Sequence, residues 1–328
     1  MQPFQKQILQ ATNSTKITGS KFIQELWSSY GSLEKLFLQG NPNIPSVIVK
    51  HIKFPEKQNH PRAWNTKLGH ERKIKSYQIE QNWYQRHLNL PVNKSFRIPR
   101  CYLNISLKEE QIILLEDLDN AGFPSRKTNI SIDEINLVLK FLAKFHANYL
   151  NEKTNGLWEI GTYWHLDTRQ EEWVAMEDSP LKKRAAEIDK ILNQSQFKTL
   201  VHGDAKLANF CFSKDADKVA AVDFQYVGGG CGMKDVAYFL GSCLNANELF
   251  EHCKDLLDYY FRELKRALKG KLQEQDIKNL EKEWSYLFDF AWADFDRFLL
   301  GWMPSHSKIN SFSRERVESC LKKLNSLS

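Results

Sequence analysis

Leu200-Val201-His202-Gly203-Asp204-Ala205-Lys206-Leu207-Ala208-Asn209-Phe210, followed by Val219-Ala220-Ala221-Val222-Asp223-Phe224-Gln225, decides how this 328-residue chain is read. Each segment starts as a short apolar run of β type and breaks into polar residues. An Asp, an Asn five positions later and a second Asp after the next strand form the acidic arrangement of kinase phosphoryl transfer. The reaction explains the residue types. A loose transition state needs an acceptor for the hydroxyl proton, which Asp204 can be, and metal ions must neutralise the β- and γ-phosphate oxygens. Asn209 and Asp223 offer hard oxygens to Mg²⁺, which keeps waters and phosphates as its other ligands. Either Asp alone could be a loop acid capping a turn. The three in this order argue for the chemistry.

The same residues resemble the aminoglycoside/choline kinase-like phosphotransferases, which carry H-G-D-x(4)-N where protein kinases carry H-R-D-x(4)-N. Within that group the chain is similar to the ecdysteroid kinase-like branch. Three segments carry the likeness: Glu116-Asp117-Leu118, Phe224-Gln225 after the second Asp, and Ala291-Trp292-Ala293-Asp294-Phe295-Asp296-Arg297-Phe298-Leu299. The resemblance spans most of the chain from about residue 17, with its motifs in the expected order. It implies an α+β, two-lobed, protein-kinase-like fold: a small antiparallel-sheet N-lobe with one main helix, and a larger, mostly helical C-lobe. Residues 1–118 are then the nucleotide-binding lobe and 119–328 the catalytic and acceptor-binding lobe.

The resemblance further implies ATP as donor, with Mg²⁺. In such a fold a strand Lys pairs with a helix Glu and lies against the α- and β-phosphates, which points to Lys50 and Glu80. Spacing alone does not choose Lys50 over Lys53, or Glu80 over Glu71. Gly31, Ser32, Glu116 and Leu118 complete the expected nucleotide contacts. The covering loop is the Ser28 to Leu33 hairpin, whose single Gly leaves the work to backbone N–H groups and the hydroxyls of Ser28, Ser29 and Ser32. His202 is expected to brace the catalytic loop. Asp235 is expected to be a helix-start acid or a brace rather than a ligand.

Outward from these motifs, Ile17 to Leu38 reads as two strands broken at residues 28–32, and Val47 to Val49 as a short buried strand ending at Lys50. Gly69 to Leu90 is helical and stops at Pro91. Ile98 to Ile105 and Gln111 to Leu115 read as a strand pair. The acidic, Gly- and Pro-bearing stretch 116–124 marks the lobe boundary. Ile132 to Leu150 has a 3.6-residue apolar period with Asp133 and Glu134 in its first turn, and the chain from Asp235 onward is mostly helical. Gly228-Gly229-Gly230-Cys231-Gly232 could pass for a dinucleotide-binding turn, but its spacing is wrong for one, and a flexible connection is the preferred reading.

Interleaved charges with a net of +6 describe a solvated surface rather than a nucleic-acid footprint. Six cysteines without C-x-x-C spacing, no signal-like N-terminus and no 18-residue apolar run lead to the expectation of a cytoplasmic protein with no membrane or nucleic-acid partner. It is expected to be a monomer or weak homodimer. Gly203 in place of Arg, and only some twelve residues between Asp223 and Asp235, argue against a phosphorylation-switched protein kinase. The expected activity is transfer of the ATP γ-phosphoryl group to a hydroxyl of a small molecule. A catalytically inactive nucleotide- or ligand-binding pseudokinase is the alternative. Trp284 to Met303 gathers eight aromatics with Asp289, Asp294, Asp296 and Arg297. An aromatic and acidic pocket would suit a cationic amine; with fewer exposed acids it would suit a flat or lipid-like alcohol. Asp294 and Arg297, one turn apart, are placed at the acceptor site's border, the alternative being a buried pair that joins two helices.

Overall fold

The computed structural model describes residues 4–26, 30–54, 67–88, 90–93, 95–107 and 109–327. The chain divides into two compact units. Met1–Arg126 with Cys211–Gln225 forms one, and Lys127–Phe210 with Tyr226–Ser328 the other. This division falls at Arg126 where the sequence suggests Leu118, and it returns a second, distant segment to the first unit.

In the first unit, helix α1 (Gln5–Thr12) precedes strands β1 (Lys16–Glu25), β2 (Gly31–Gln39) and β3 (Ser46–Lys53). Helix α2 (Lys67–Arg86) and strands β4 (Cys101–Ser106) and β5 (Glu110–Glu116) follow. The five strands form an antiparallel sheet in the order β1-β2-β3-β5-β4. Lys16 faces Gln39 and Glu25 faces Ser32, the hairpin read from the sequence. Strand side chains alternate between faces, and here one face is sealed as a core. Leu36, Leu38, Val47, Val49, Ile112 and Leu114 pack with Ile8 of α1 and with Phe4, the residue just before that helix. Helix α1 is not among the elements read from the sequence. β3 also runs three residues past Lys50, which therefore sits inside the strand and points to the face opposite Val47 and Val49.

The second unit opens with α3 (Ile132–Asn148), β6 (Trp158–Ile160), α4 (Gln170–Ala175), α5 (Pro180–Asn193) and β7 (Thr199–Val201). Strands β8 (Phe210–Phe212) and β9 (Val219–Ala221) pair in the segment that returns to the first unit. β10 (Gly228–Gly230) and helices α6 (Met233–Cys243), α7 (Ala246–Leu268), α8 (Glu274–Trp302) and α9 (Ser311–Asn325) complete the second. The acids read at the start of α3 do more than favour a dipole. Ser131 and Glu134 form a reciprocal capping box that satisfies two orphan N–H groups. Ile135, Val138, Leu139, Leu142 and Phe145 are buried, as their period requires. Among the described residues no helix is long and apolar enough to cross a membrane.

The glycine run is neither a dinucleotide turn nor a loose connection. It is the central strand of a three-stranded sheet, parallel to β6 and antiparallel to β7. A Cβ on Gly228 would lie 2.3 Å from the Trp158 carbonyl oxygen, and one on Gly229 2.6 Å from that of Glu159. Glycine is there because two backbones approach that closely. Gly228→Ala should therefore cost about 1–3 kcal/mol by overpacking, read as a lower unfolding midpoint in calorimetry. Loss of nucleotide binding with an unchanged midpoint would contradict this account.

Candidate functional site

Burial makes the first unit's polar cluster specific. On α2, Tyr77, Glu80, Gln81 and Tyr84 recur at helical spacing and are all buried. Glu80 is the acid in that inward face, and Lys50 is the cation on the facing strand. Lys50 Nζ lies 2.6 Å from Glu80 Oε2 and 3.3 Å from Asp223 Oδ1. Burial works against the Lys50 charge, but Glu80 and Asp223 more than offset it and hold the ammonium above its ordinary range. Gln225 Nε2 donates to Asp223 Oδ1 at 2.6 Å, and Gln225 Oε1 accepts from Lys73 Nζ at 2.9 Å. Asp223 has φ 69°, in the left-handed region that Asp tolerates better than most residues, and its side chain keeps 33% of its exposure. Phe224 beside it is fully buried and stacks on Trp83 at 4.7 Å. A hydrophobic anchor thus fixes the loop that aims the carboxylate.

The other residues expected at a nucleotide are placed less uniformly. Gly31 and Ser32 begin β2, and Ser32 Oγ donates to Glu34. Ser28 and Ser29 lie outside the described residues. Glu116 Oε2 accepts from Arg97 Nη2 at 2.6 Å and from the Arg100 N–H at 3.0 Å, and the Glu116 N–H donates to the Arg100 carbonyl at 2.8 Å. Leu118 packs with Phe123, Cys211 and Ala220.

In the second unit, β7 delivers the chain to a loop held from below. The buried Asp235 carboxylate, in the first turn of α6, accepts the N–H groups of His202 at 2.6 Å and Gly203 at 2.9 Å. His146 Nε2 lies 3.1 Å from the same carboxylate, and its other ring nitrogen is 2.8 Å from Tyr260 Oη. His202 Nδ1 in turn accepts the Asp204 N–H at 3.3 Å. Both braces are those expected from the sequence. Gly203 has φ +79°, and a Cβ there would fall 2.0 Å from the Tyr226 carbonyl oxygen. An Arg could not occupy this position without moving the backbone.

Asp204 is 5% exposed and surrounded by donors. Tyr238 Oη donates to Oδ1 at 3.1 Å; Lys206 Nζ and Asn209 Nδ2 each donate to Oδ2 at 3.0 Å. Asn209 Nδ2 also reaches the Asp204 carbonyl at 2.8 Å. Asn209 makes both contacts through its amide nitrogen. Lys206 and Tyr238 were not singled out from the sequence. Lys206 had a signal in being only two residues from Asp204, and a tight turn closed by its N–H to the Asp204 carbonyl at 2.8 Å brings the two together. Tyr238 had none, because it is on another helix. Gln225 was noted only as part of a motif, and its link to Asp223 is a tertiary fact.

Asp294 and Arg297 share a face of α8 one turn apart, as read. They are 0% and 1% exposed, which is the buried-pair arrangement and not a solvent-facing rim. Arg297 donates to Asp294 Oδ1 from Nε at 3.2 Å and Nη2 at 2.9 Å, and to the Trp164 carbonyl at 2.6 Å. The Trp164 indole N–H donates to Asp294 Oδ2 at 3.1 Å, and Lys234 Nζ is 3.7 Å from that oxygen. One carboxylate thus serves two buried cations. Trp164 packs on Tyr238 at 4.9 Å and Phe295 at 5.1 Å, so the pair positions the aromatic cluster beside the Asp204 loop.

A model of the ecdysteroid kinase-like family matches residues 46–156 and 159–273. No curated protein matches the sequence. Among solved structures, the chain is similar to a microcompartment-associated aminopropanol kinase, with 13% identity, 98% of each chain covered and a TM-score of 0.49. A choline kinase from Streptococcus pneumoniae matches at 13% identity over 99% of this chain and 98% of that one, TM-score 0.42. An aminoglycoside phosphotransferase from Streptomyces rimosus, solved with ADP and streptomycin, matches at 11% identity over 88% and 99%, TM-score 0.43. The α+β arrangement read from the sequence is present, with an antiparallel sheet in the N-terminal region and helices making up most of the C-terminal region.

Removing Asp294 should strand Arg297 and Lys234. Asp294→Ala is therefore expected to cost about 3–5 kcal/mol, seen as a large drop in melting temperature. An unchanged melting temperature with a raised acceptor KM would instead return the pair to the acceptor site.

Proposed function

We propose that this chain, which belongs to the ecdysteroid kinase-like family, moves the γ-phosphoryl group of ATP to a hydroxyl of a small molecule. The observation that carries the reading is the Asp204 carboxylate: buried, braced through its loop by Asp235, and ringed by Lys206, Asn209 and Tyr238. In this reading Asp204 accepts the proton as the hydroxyl O–H bond breaks, the new O–P bond forms, and the bond from phosphorus to the departing ADP oxygen breaks. Lys206 and Tyr238 fix the carboxylate's orientation. Lys206 also brings positive charge to the transferring group.

Lys50, held by Glu80, takes the α- and β-phosphates, and a strand Lys fixed by a buried carboxylate is what that role requires. Gly31, Ser32, and the main chain at Glu116 and Leu118 serve the rest of the nucleotide. The donor set suits a hard cation: the part-exposed Asp223 carboxylate and the Asn209 amide oxygen would hold Mg²⁺. When bound, Mg²⁺ supplies charge neutralisation at the β- and γ-phosphate oxygens. The six thiols are free, which suits a reducing compartment such as the cytoplasm. A pseudokinase has no chemical need to retain Asp204, Asn209 and Asp223 together, so turnover is the preferred reading. The acceptor is to be found by scoring ADP release over amino alcohols, aminoglycosides, sterols and other alcohols.

Asp204→Asn keeps the shape and cannot take the proton, so kcat should fall by roughly 10² to 10⁴ while Mg·ATP affinity changes little. ADP release near that of the wild type, with saturating acceptor, would remove Asp204 from the role. Asp223→Ala should abolish activity and the Mg²⁺ dependence of ATP binding seen in calorimetry. An identical Mg²⁺ dependence in mutant and wild type would reject the metal assignment.

A further inference from the structure

Lys308 lies in the turn between α8 and α9, half-buried, and reaches back toward the Asp204 loop. Its ammonium is 4.6 Å from the centre of the Tyr238 ring and 5.5 Å from that of Phe295. Tyr238 is the residue that donates to Asp204 Oδ1. The other ammonium at the base, Lys206, pairs with the carboxylate at 3.0 Å, whereas among the described residues no carboxylate forms an ion pair with Lys308. Aromatic faces return part of the hydration that the ammonium has lost. They supply no lone pairs for its N–H groups, which at this half-buried position remain for water or a ligand oxygen. Burial brings Lys308 down to about 8, against an upward pull from Asp204, so the group is still mostly charged at neutral pH.

The acids that could have answered a cation here are committed elsewhere. Asp289 pairs with Arg316 at 3.2 Å and Lys323 at 2.7 Å on α9. Asp294 holds Arg297 and Lys234. Asp296 is 2% exposed, its carboxyl pushed up to about 7 by burial. The stretch whose acids suggested a cationic amine therefore presents none of these three to a ligand, and the charge standing beside the base is positive.

We propose that Lys308 sets the charge class of the acceptor, donating to an oxygen of an uncharged or anionic alcohol and disfavouring one with a cationic amine near the reacting hydroxyl. The inference rests on the kinase reading above for the identity of the ligand as an acceptor. A like charge brought to within about 5 Å of Lys308 at a part-exposed site should weaken binding about tenfold. An alcohol oxygen at the same place would instead complete the ammonium's hydrogen bonds.

Matched pairs test this directly: choline against its carbon isostere dimethylbutanol, and hydroxyethylpiperidine against cyclohexylethanol. Binding to the full chain is measured by saturation-transfer NMR in the presence of a non-hydrolysable ATP analogue, and ADP release is measured in parallel. The uncharged member of each pair should bind about tenfold more tightly. Lys308→Met, which keeps the stem on the two rings, should erase that preference, and Lys308→Glu should reverse it. Three outcomes would overturn the assignment: equal or tighter binding of the cationic members, no binding of any probe, or a preference unchanged in both variants. A charge preference that holds without ADP release from any probe would leave Lys308 as assigned and reject the kinase reading alone.

Discussion

The second unit's chemistry hangs on the Asp235 carboxylate. It is fully buried and accepts the N–H groups of two successive loop residues, His202 on Oδ2 and Gly203 on Oδ1, with His146 Nε2 also against Oδ2. A buried carboxylate is expensive unless its lone pairs are answered, and here the answering groups are the backbone whose position matters. Once that backbone is fixed, His202 accepts the Asp204 N–H, and the Asp204 side chain has one place to go. The left-handed Gly203 and its contact with Tyr226 follow from the same constraint, because the loop must turn sharply over a neighbouring chain to bring its N–H groups down to Asp235. The departure from the protein-kinase H-R-D pattern is thus steric.

The first unit solves a similar problem by alternation. With Val47 and Val49 committed to the core under α1, the two-residue period of β3 turns Lys50 to the opposite face. The inward face of α2 carries Glu80 among aromatics to meet it. Neither charge has bulk water near enough to compete, so each makes the other tolerable, and Asp223 adds a second carboxylate at 3.3 Å. Gln225 then ties Asp223 back to Lys73 of α2. The cluster is a small network in which strand, helix and loop are each held by charge.

Helix α8 shows what an aromatic and acidic stretch becomes when it is packed. Phe295, Phe298 and Leu299 join Trp164 and Tyr238 in one core cluster, and the acids are absorbed by α9, Arg297 and Lys234. Composition alone suited a pocket for cations. Packing spends the negative charge internally and leaves Lys308 on the rings.

The order of motifs, the hairpin of β1 and β2, the period of α3 and the residues Asp204, Asn209 and Asp223 were determined by the sequence itself, because each depends on local spacing. Lys50 and Glu80 could be named only through a family likeness, since their pairing joins residues thirty positions apart. Tertiary structure alone decided the rest. It recruited Tyr238 and Lys308 to the Asp204 loop, made the glycine run a buried strand, turned the Glu116 carboxylate to Arg97 and closed Asp294 and Arg297 into the interior. The physical reason is common to all of these. Burial and pairing are properties of the space between elements, and a one-dimensional pattern specifies which face a residue takes but not what will stand opposite it.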